Sequence, residues 1–130
     1  MWIQPSVAEI AEEISQCLAV GDQAMAVRLA FRIVERFDRS SPEVREVMVE
    51  LEPNLTGNSQ FDALLAAVVE YSCAMNGSSP PRWVDHASRF LDHFWFVANI
   101  RSLEADALAN SPISFTRRGV FVCSGALTYA

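Results

Sequence analysis

At 130 residues, 51% of them hydrophobic and 20% charged, the chain has the size and apolar content of one globular domain with a real core, which excludes a disordered tail. Its formal charge of −6, from 16 acidic against 10 basic residues, repels phosphate and disfavours nonspecific binding to nucleic acid or anionic membrane. Cys17, Cys73 and Cys123 are odd in number, widely spaced and set among apolar residues, so they read as reduced thiols of a cytoplasmic protein rather than as disulfides or zinc ligands. The N-terminus lacks a basic segment followed by an apolar run, and no stretch approaches the ~20 apolar residues of a membrane span.

In chain order, Ser6 with Glu9 forms a capping box, and Val7, Ile10, Ile14 and Leu18 recur at helical spacing until Gly21. This predicts a first helix over about 6–20. Asp22 caps a second directly after it, with Met25, Leu29, Ile33 and Phe37 on one side and Val27, Ala30, Phe31 and Val34 widening the apolar face. A turn so short implies an antiparallel pair. The same helix carries Arg28, Arg32, Arg36 and Arg39 in one stripe. Such a stripe either receives an acidic surface or nucleic acid, or is a solvated face balanced by Glu35, Asp38 and neighbouring acids; the acidic balance of the chain favours the latter.

Ser41-Pro42 opens a third helix over about 42–51, with Val44, Val47, Met48 and Leu51 as its apolar residues and Pro53 beyond its end. PNLTGNS is a turn, after which Ser59 with Asp62 opens a fourth helix over about 60–76. Phe61, Leu64, Leu65, Val68, Val69 and Ser72 make it apolar or small around most of its circumference, as expected of a central helix, and Gly77 closes it.

Beyond the stiff GSSPPR connector the chain becomes aromatic, with Trp83, Phe90, Phe94, Trp95, Phe96, Phe115 and Phe121. Each such ring buries roughly 150–250 Å² when packed inward, so this third reads as a packing centre. An anchor patch for another protein is the other reading, since aromatics and Arg dominate interface hot spots. Asp85 is expected to cap a short helix to Leu91, Asn99 or Ser102 a longer one to Asn110, and Ser111-Pro112 a further turn to Gly119. Val120–Cys123 is β-prone but lacks an evident second strand, so it is expected to be extended and unpaired, with Ser124 capping a last short helix.

The expectation is therefore an all-α compact domain of about five to seven helices spanning 1–130. Residues 1–77 would form helical hairpins, and 82–130 an aromatic-rich, partly irregular capping region.

No arrangement in the sequence reads as catalytic. His86 and His93 each follow an aspartate, but on a helix they would lie about 10 Å apart along the axis, too far for two ligands of one metal ion. The scattered glycines form no phosphate loop, no serine sits in a nucleophile elbow, and nothing pairs two carboxylates around a pocket. Neither metal nor cofactor is expected. Arg117-Arg118 before Gly119 reads equally as a grip for phosphate or carboxylate and as cationic capping of a helix end.

The segments GDQAMAVRLAFRI, FDALLAAVVEYSCAMNG, PRWVDHASRFL, FWF, LEADAL and SPISFTRRGVF, together covering nearly the whole chain, resemble a family of small actinobacterial proteins encoded beside a nucleotidyltransferase and regarded as its antitoxins. At Ala87 that family often has proline, so the short helix after Asp85 is where this chain departs from the pattern. The resemblance implies a protein with no chemistry of its own that binds and silences an enzyme adding nucleotides to tRNA. Trp83, Phe94, Trp95, Phe96, Phe115, Arg117 and Arg118 are then the expected partner-binding residues. The alternative is a helical regulatory module that touches nucleic acid through Arg28, Arg32, Arg36 and Arg39. A small metalloenzyme built on His86 and His93 is the third and weakest reading.

Overall fold

The computed structural model describes residues 5–123 and 125–128, so the cap expected at Ser124 lies outside the described residues. Four helices build the first part of the chain: α1 (Val7–Ala19), α2 (Gln23–Asp38), α3 (Pro42–Glu50) and α4 (Ser59–Met75). Their ends follow local chemistry. Glu9 N–H donates to Ser6 Oγ at 3.2 Å and the Glu9 carboxylate returns to Ser6, forming the expected capping box. Asp22 Oδ1 accepts from Met25 N–H at 3.1 Å, and Ser41 with Pro42 opens α3. At the end of α1, Gly21 takes φ +78°, and Asp22 N–H and Gly21 N–H reach back to Cys17 and Leu18 carbonyls. Only a glycine adopts that left-handed conformation cheaply, which is why the first hairpin turns there.

The cap of α4 differs from expectation. It is Asn58, whose Oδ1 accepts from Gln60 N–H at 2.9 Å and Phe61 N–H at 3.4 Å. Asp62 instead folds back onto Thr56, accepting from its N–H at 2.8 Å and its hydroxyl at 2.9 Å. An aspartate three residues after a serine marks a helix start, but here its carboxylate satisfies the preceding loop.

α4 is the central helix. Phe61 and every residue from Ala63 to Val69 are fully buried, against faces supplied by α2 (Ala30, Ile33, Phe37) and the C-terminal third, while α1 adds Val7, Ile10 and Ile14 to the same core by packing on α2. α3 contributes Met48 and Val49 to this core, while Val47 and Leu51 stay exposed.

The C-terminal third is less helical than the pattern predicts. The helix expected from Asp85 to Leu91 is replaced by two 3₁₀ turns, Arg82–Asp85 and Ala87–Arg89, separated by extended backbone at His86. Neither turn has a side-chain cap; their N-cap positions are Pro81 and His86, and Asp85 lies inside the first turn, engaged by an arginine described below. Neither Asn99 nor Ser102 caps the next helix: Asn99 sits at φ +53°, and a 3₁₀ turn, Arg101–Leu103, runs into α5 (Glu104–Asn110). After α6 (Ile113–Thr116), Val120–Phe121 forms a strand, β2, where an unpaired segment was expected. Its partner is β1, Trp95–Phe96, in parallel register with Trp95 beside Val120 and Phe96 beside Phe121. The sequence hid this pairing because FWF reads as helical packing material, and a parallel pair needs a long crossover, here the whole α5–α6 segment. Among the described residues the architecture is all-α apart from this short ladder, and no helix is long and apolar enough to cross a membrane.

Leu65 lies at the centre of α4 with no exposure. Leu65→Asp is expected to abolish the cooperative thermal transition followed by circular dichroism, because an unpaired buried carboxylate costs several kcal/mol against a total stability of about 5–15 kcal/mol. A transition unchanged by the substitution would contradict the central placement of α4.

Candidate interaction surface

Two buried arginines hold the irregular third against α4. Arg89 has no exposed surface, and its Nη2 donates to Pro53 O at 2.7 Å and to Glu52 Oε2 at 3.1 Å while Nη1 reaches Asp62 O at 3.3 Å. Its guanidinium lies 5.0 Å from the ring of Trp83, whose Nε1 donates to Val49 O at 2.8 Å. Arg118 is equally buried and donates to Val84 O at 2.7 Å, to Ser114 O at 2.6 Å and to the Glu70 carboxylate of α4. Arg117, its neighbour, bonds Glu70 from Nε at 3.0 Å and Asp85 from Nη2. Phe90 packs under both guanidiniums, at 5.1 Å from Arg117 and 4.9 Å from Arg118, a cation–π arrangement.

The electrostatics follow burial. Desolvation pushes the Arg118 pKa down, against the opposing pull of Glu70. At Arg117 burial acts the same way, but hydrogen bonds to Asp85 and Glu70 outweigh it and raise the pKa. Burial works to raise Glu52, yet hydrogen bonds from Arg89 and His86 hold its carboxyl below the ordinary range. His86 Nδ1 lies 3.1 Å from Glu52 Oε2. A carboxylate only accepts, so Nδ1 carries the proton. Burial, helped by Glu70, lifts the Cys73 thiol to about 11, which keeps it protonated and inert.

The seven expected partner-binding residues divide into interior and surface. Trp83, Trp95, Phe115 and Arg118 are buried, so they build the core and its clamp instead of presenting a face. Phe115 stacks on Phe31 of α2, and Trp95 packs on Phe61 of α4 with ring centroids 5.4 Å apart. Phe94, Phe96 and Arg117 reach the surface, and Phe94 is 71% exposed. Arg117 and Arg118 bind carboxylates of the chain itself, Glu70 and Asp85, and Arg118 also donates to Ser114 O in the last turn of α6.

Phe94 and Phe96 belong to a larger apolar ledge. Phe121, itself buried, underlies it, with the ring of Phe94 against it edge to face at 4.9 Å and the ring of Phe96 stacked on it at 5.1 Å. From Phe96 and Phe121 a narrow cleft continues past Ile100, Leu103 and Ala107. Ile100 and Leu108 are each more than half exposed. Phe121, Ile100 and Leu103 were not among the expected partner-binding residues, because only the strand pairing brings Phe121 beside the FWF rings.

Arg28 and Arg32 on α2 are exposed, Arg36 is half-buried, and Arg39 bridges Glu35 at 3.3 Å. His86 and His93 do not share a helix: His86 stands between the two 3₁₀ turns on Glu52, and His93 is exposed in a bend before β1. Among the described residues no group of three or more His, Cys, Asp or Glu side chains is placed to hold a metal ion. No family model, curated protein or solved structure matches the chain.

The depressed pKa of Glu52 makes its bonds to Arg89 and His86 a source of stability at pH above the ordinary glutamate value of about 4.3, lost as pH falls through the lower folded-state value. Wild-type protein is therefore expected to lose melting temperature more steeply than Glu52→Gln as pH drops below about 4.3. Parallel acid limbs for the two proteins would show that Glu52 titrates alike folded and unfolded.

Proposed function

We propose that this chain is a cytoplasmic binding protein without chemistry of its own, and that it works as an antitoxin-like partner that silences a nucleotidyltransferase encoded beside it. The observation that carries the binding half of this reading is the apolar ledge on which Phe94, Ile100 and Leu103 are exposed and Phe96 half-buried, over the buried ring of Phe121. Exposed, contiguous aromatic and aliphatic surface is costly in water and marks contact with another macromolecule. Free thiols at Cys17, Cys73 and Cys123 suit a reducing compartment.

The choice of partner rests on the resemblance carried by PRWVDHASRFL, FWF, LEADAL and SPISFTRRGVF. Charge supports it. An enzyme that acts on tRNA carries a basic surface for the phosphate backbone, and a chain of net charge −6 complements that surface and steers toward it. The ledge would supply the desolvated centre of such an interface and the surrounding acids its polar rim.

At equimolar ratio the wild-type protein is expected to bind the neighbouring nucleotidyltransferase in calorimetry and to abolish nucleotide transfer to tRNA. Phe94→Ala with Ile100→Ala should weaken the affinity by about 2 kcal/mol or more, roughly thirtyfold in Kd, while the melting temperature stays close to wild type. Failure of the wild-type protein to bind that enzyme, or rescue of growth without a detectable complex, would remove direct neutralisation.

A further inference from the structure

A second surface lies apart from the ledge. Between α2 and the turn at residues 125–128 runs a groove of about 330 Å³, floored by Val27, Phe31, Ala126 and Leu127 and flanked by Arg28 and Arg32. Past Val27 and Phe31 it opens into a further space of about 220 Å³ beside Val97. Arg28, Arg32 and Arg36 succeed one another at single-turn intervals along α2, and none of the three forms an ion pair among the described residues. Glu35, the acid that lines the groove, is already bridged by Arg39. Among the described residues, Arg28 and Arg32 thus stand beside an apolar trough without an ion-pair partner, on a molecule of net charge −6.

We propose that this groove docks a short acidic segment of a partner protein, whose large apolar side chains seat on Val27 and Phe31 and whose carboxylates meet Arg28 and Arg32. The occupant follows from complementarity. Guanidinium forks pair bidentately with carboxylates, and an apolar floor of this size takes one or two buried side chains between the charged contacts. A nucleic-acid backbone would meet the same arginines but would leave the floor unused, and it would approach against the field of the whole chain. The proposal concerns a different surface from the ledge and stands whether or not the partner there is a nucleotidyltransferase.

A random peptide display library selected in parallel on the wild-type protein and on Arg28→Glu/Arg32→Glu tests it directly. Both arginines are exposed, so the variant should keep the wild-type circular-dichroism spectrum and melting temperature. Wild type is expected to enrich sequences that interleave Asp or Glu with large apolar residues. The best of these, synthesised and followed by fluorescence polarisation, should bind wild type about tenfold or more tighter than the variant and weaken as salt rises. Phe94→Asp, on the ledge, should leave that affinity unchanged. Enrichment of neutral or basic sequences, no enrichment, equal binding to the arginine variant, or loss of binding in Phe94→Asp would overturn the proposal. So would a short RNA duplex that binds wild type, fails on the arginine variant and displaces the peptide, which would give the groove to nucleic acid instead.

Discussion

The buried guanidinium of Arg118 decides where the last third of this chain lies. A segment with three short 3₁₀ turns, a two-residue ladder and two short helices leaves many carbonyls without a regular partner, and each buried carbonyl left so costs about 1–3 kcal/mol. An arginine offers five N–H donors in a fixed fork and so can close several gaps at once. Arg118 does this for Val84 and Ser114, and Arg89 for Pro53 and Asp62. Glu70 and Glu52 compensate the two charges, and Phe90 and Trp83 cover the guanidinium faces. Side chains here perform the task that helix hydrogen bonds perform in α1 to α4.

From that clamp the surface follows in sequence. Arg118 fixes the end of α6, and Gly119, at a left-handed φ of +80° that favours glycine, turns the chain back toward Leu91 and His93. The turn delivers Val120 and Phe121 beside Trp95 and Phe96, with Trp95 N–H donating to Gly119 O at 2.8 Å. One residue of each strand then points inward, Trp95 onto α4, while Phe96 and Phe121 meet on the other side and collect Phe94. The exposed ledge is thus a consequence of a buried ion pair about one turn of chain away. Binding proposals that treat Arg118 as a contact residue mistake the support for the surface.

How legible this was depends on the range of the interactions involved. The ends of α1, α2 and α3 are written in single side chains three residues from their targets, and Ser6, Asp22 and Ser41 could be identified without any fold. α4 was legible as the centre because it is apolar all round, though its cap was not, since Asp62 serves Thr56. The C-terminal third was opaque because its order comes from contacts of long sequence separation. Nothing local distinguishes Arg118, which is buried on Glu70, from Arg28, which faces solvent. The pairing of FWF with VF has no signal within either segment. Of the five aromatics expected to bind a partner, Phe94 and Phe96 reach the surface, and Trp83, Trp95 and Phe115 pack the core.

A double-mutant cycle across Arg118 and Glu70 tests this account most directly. If the pair clamps the last third, Glu70→Leu alone strands the buried Arg118 cation, and Arg118→Met alone leaves Val84 O and Ser114 O without their donor while Glu70 keeps Arg117, each substitution costing about 3 kcal/mol in denaturant unfolding. The double substitution should then cost less than the two singles together by about 2 kcal/mol or more. Costs that add within about 0.5 kcal/mol would show the two side chains acting independently, and the clamp would not be what holds the aromatic third in place.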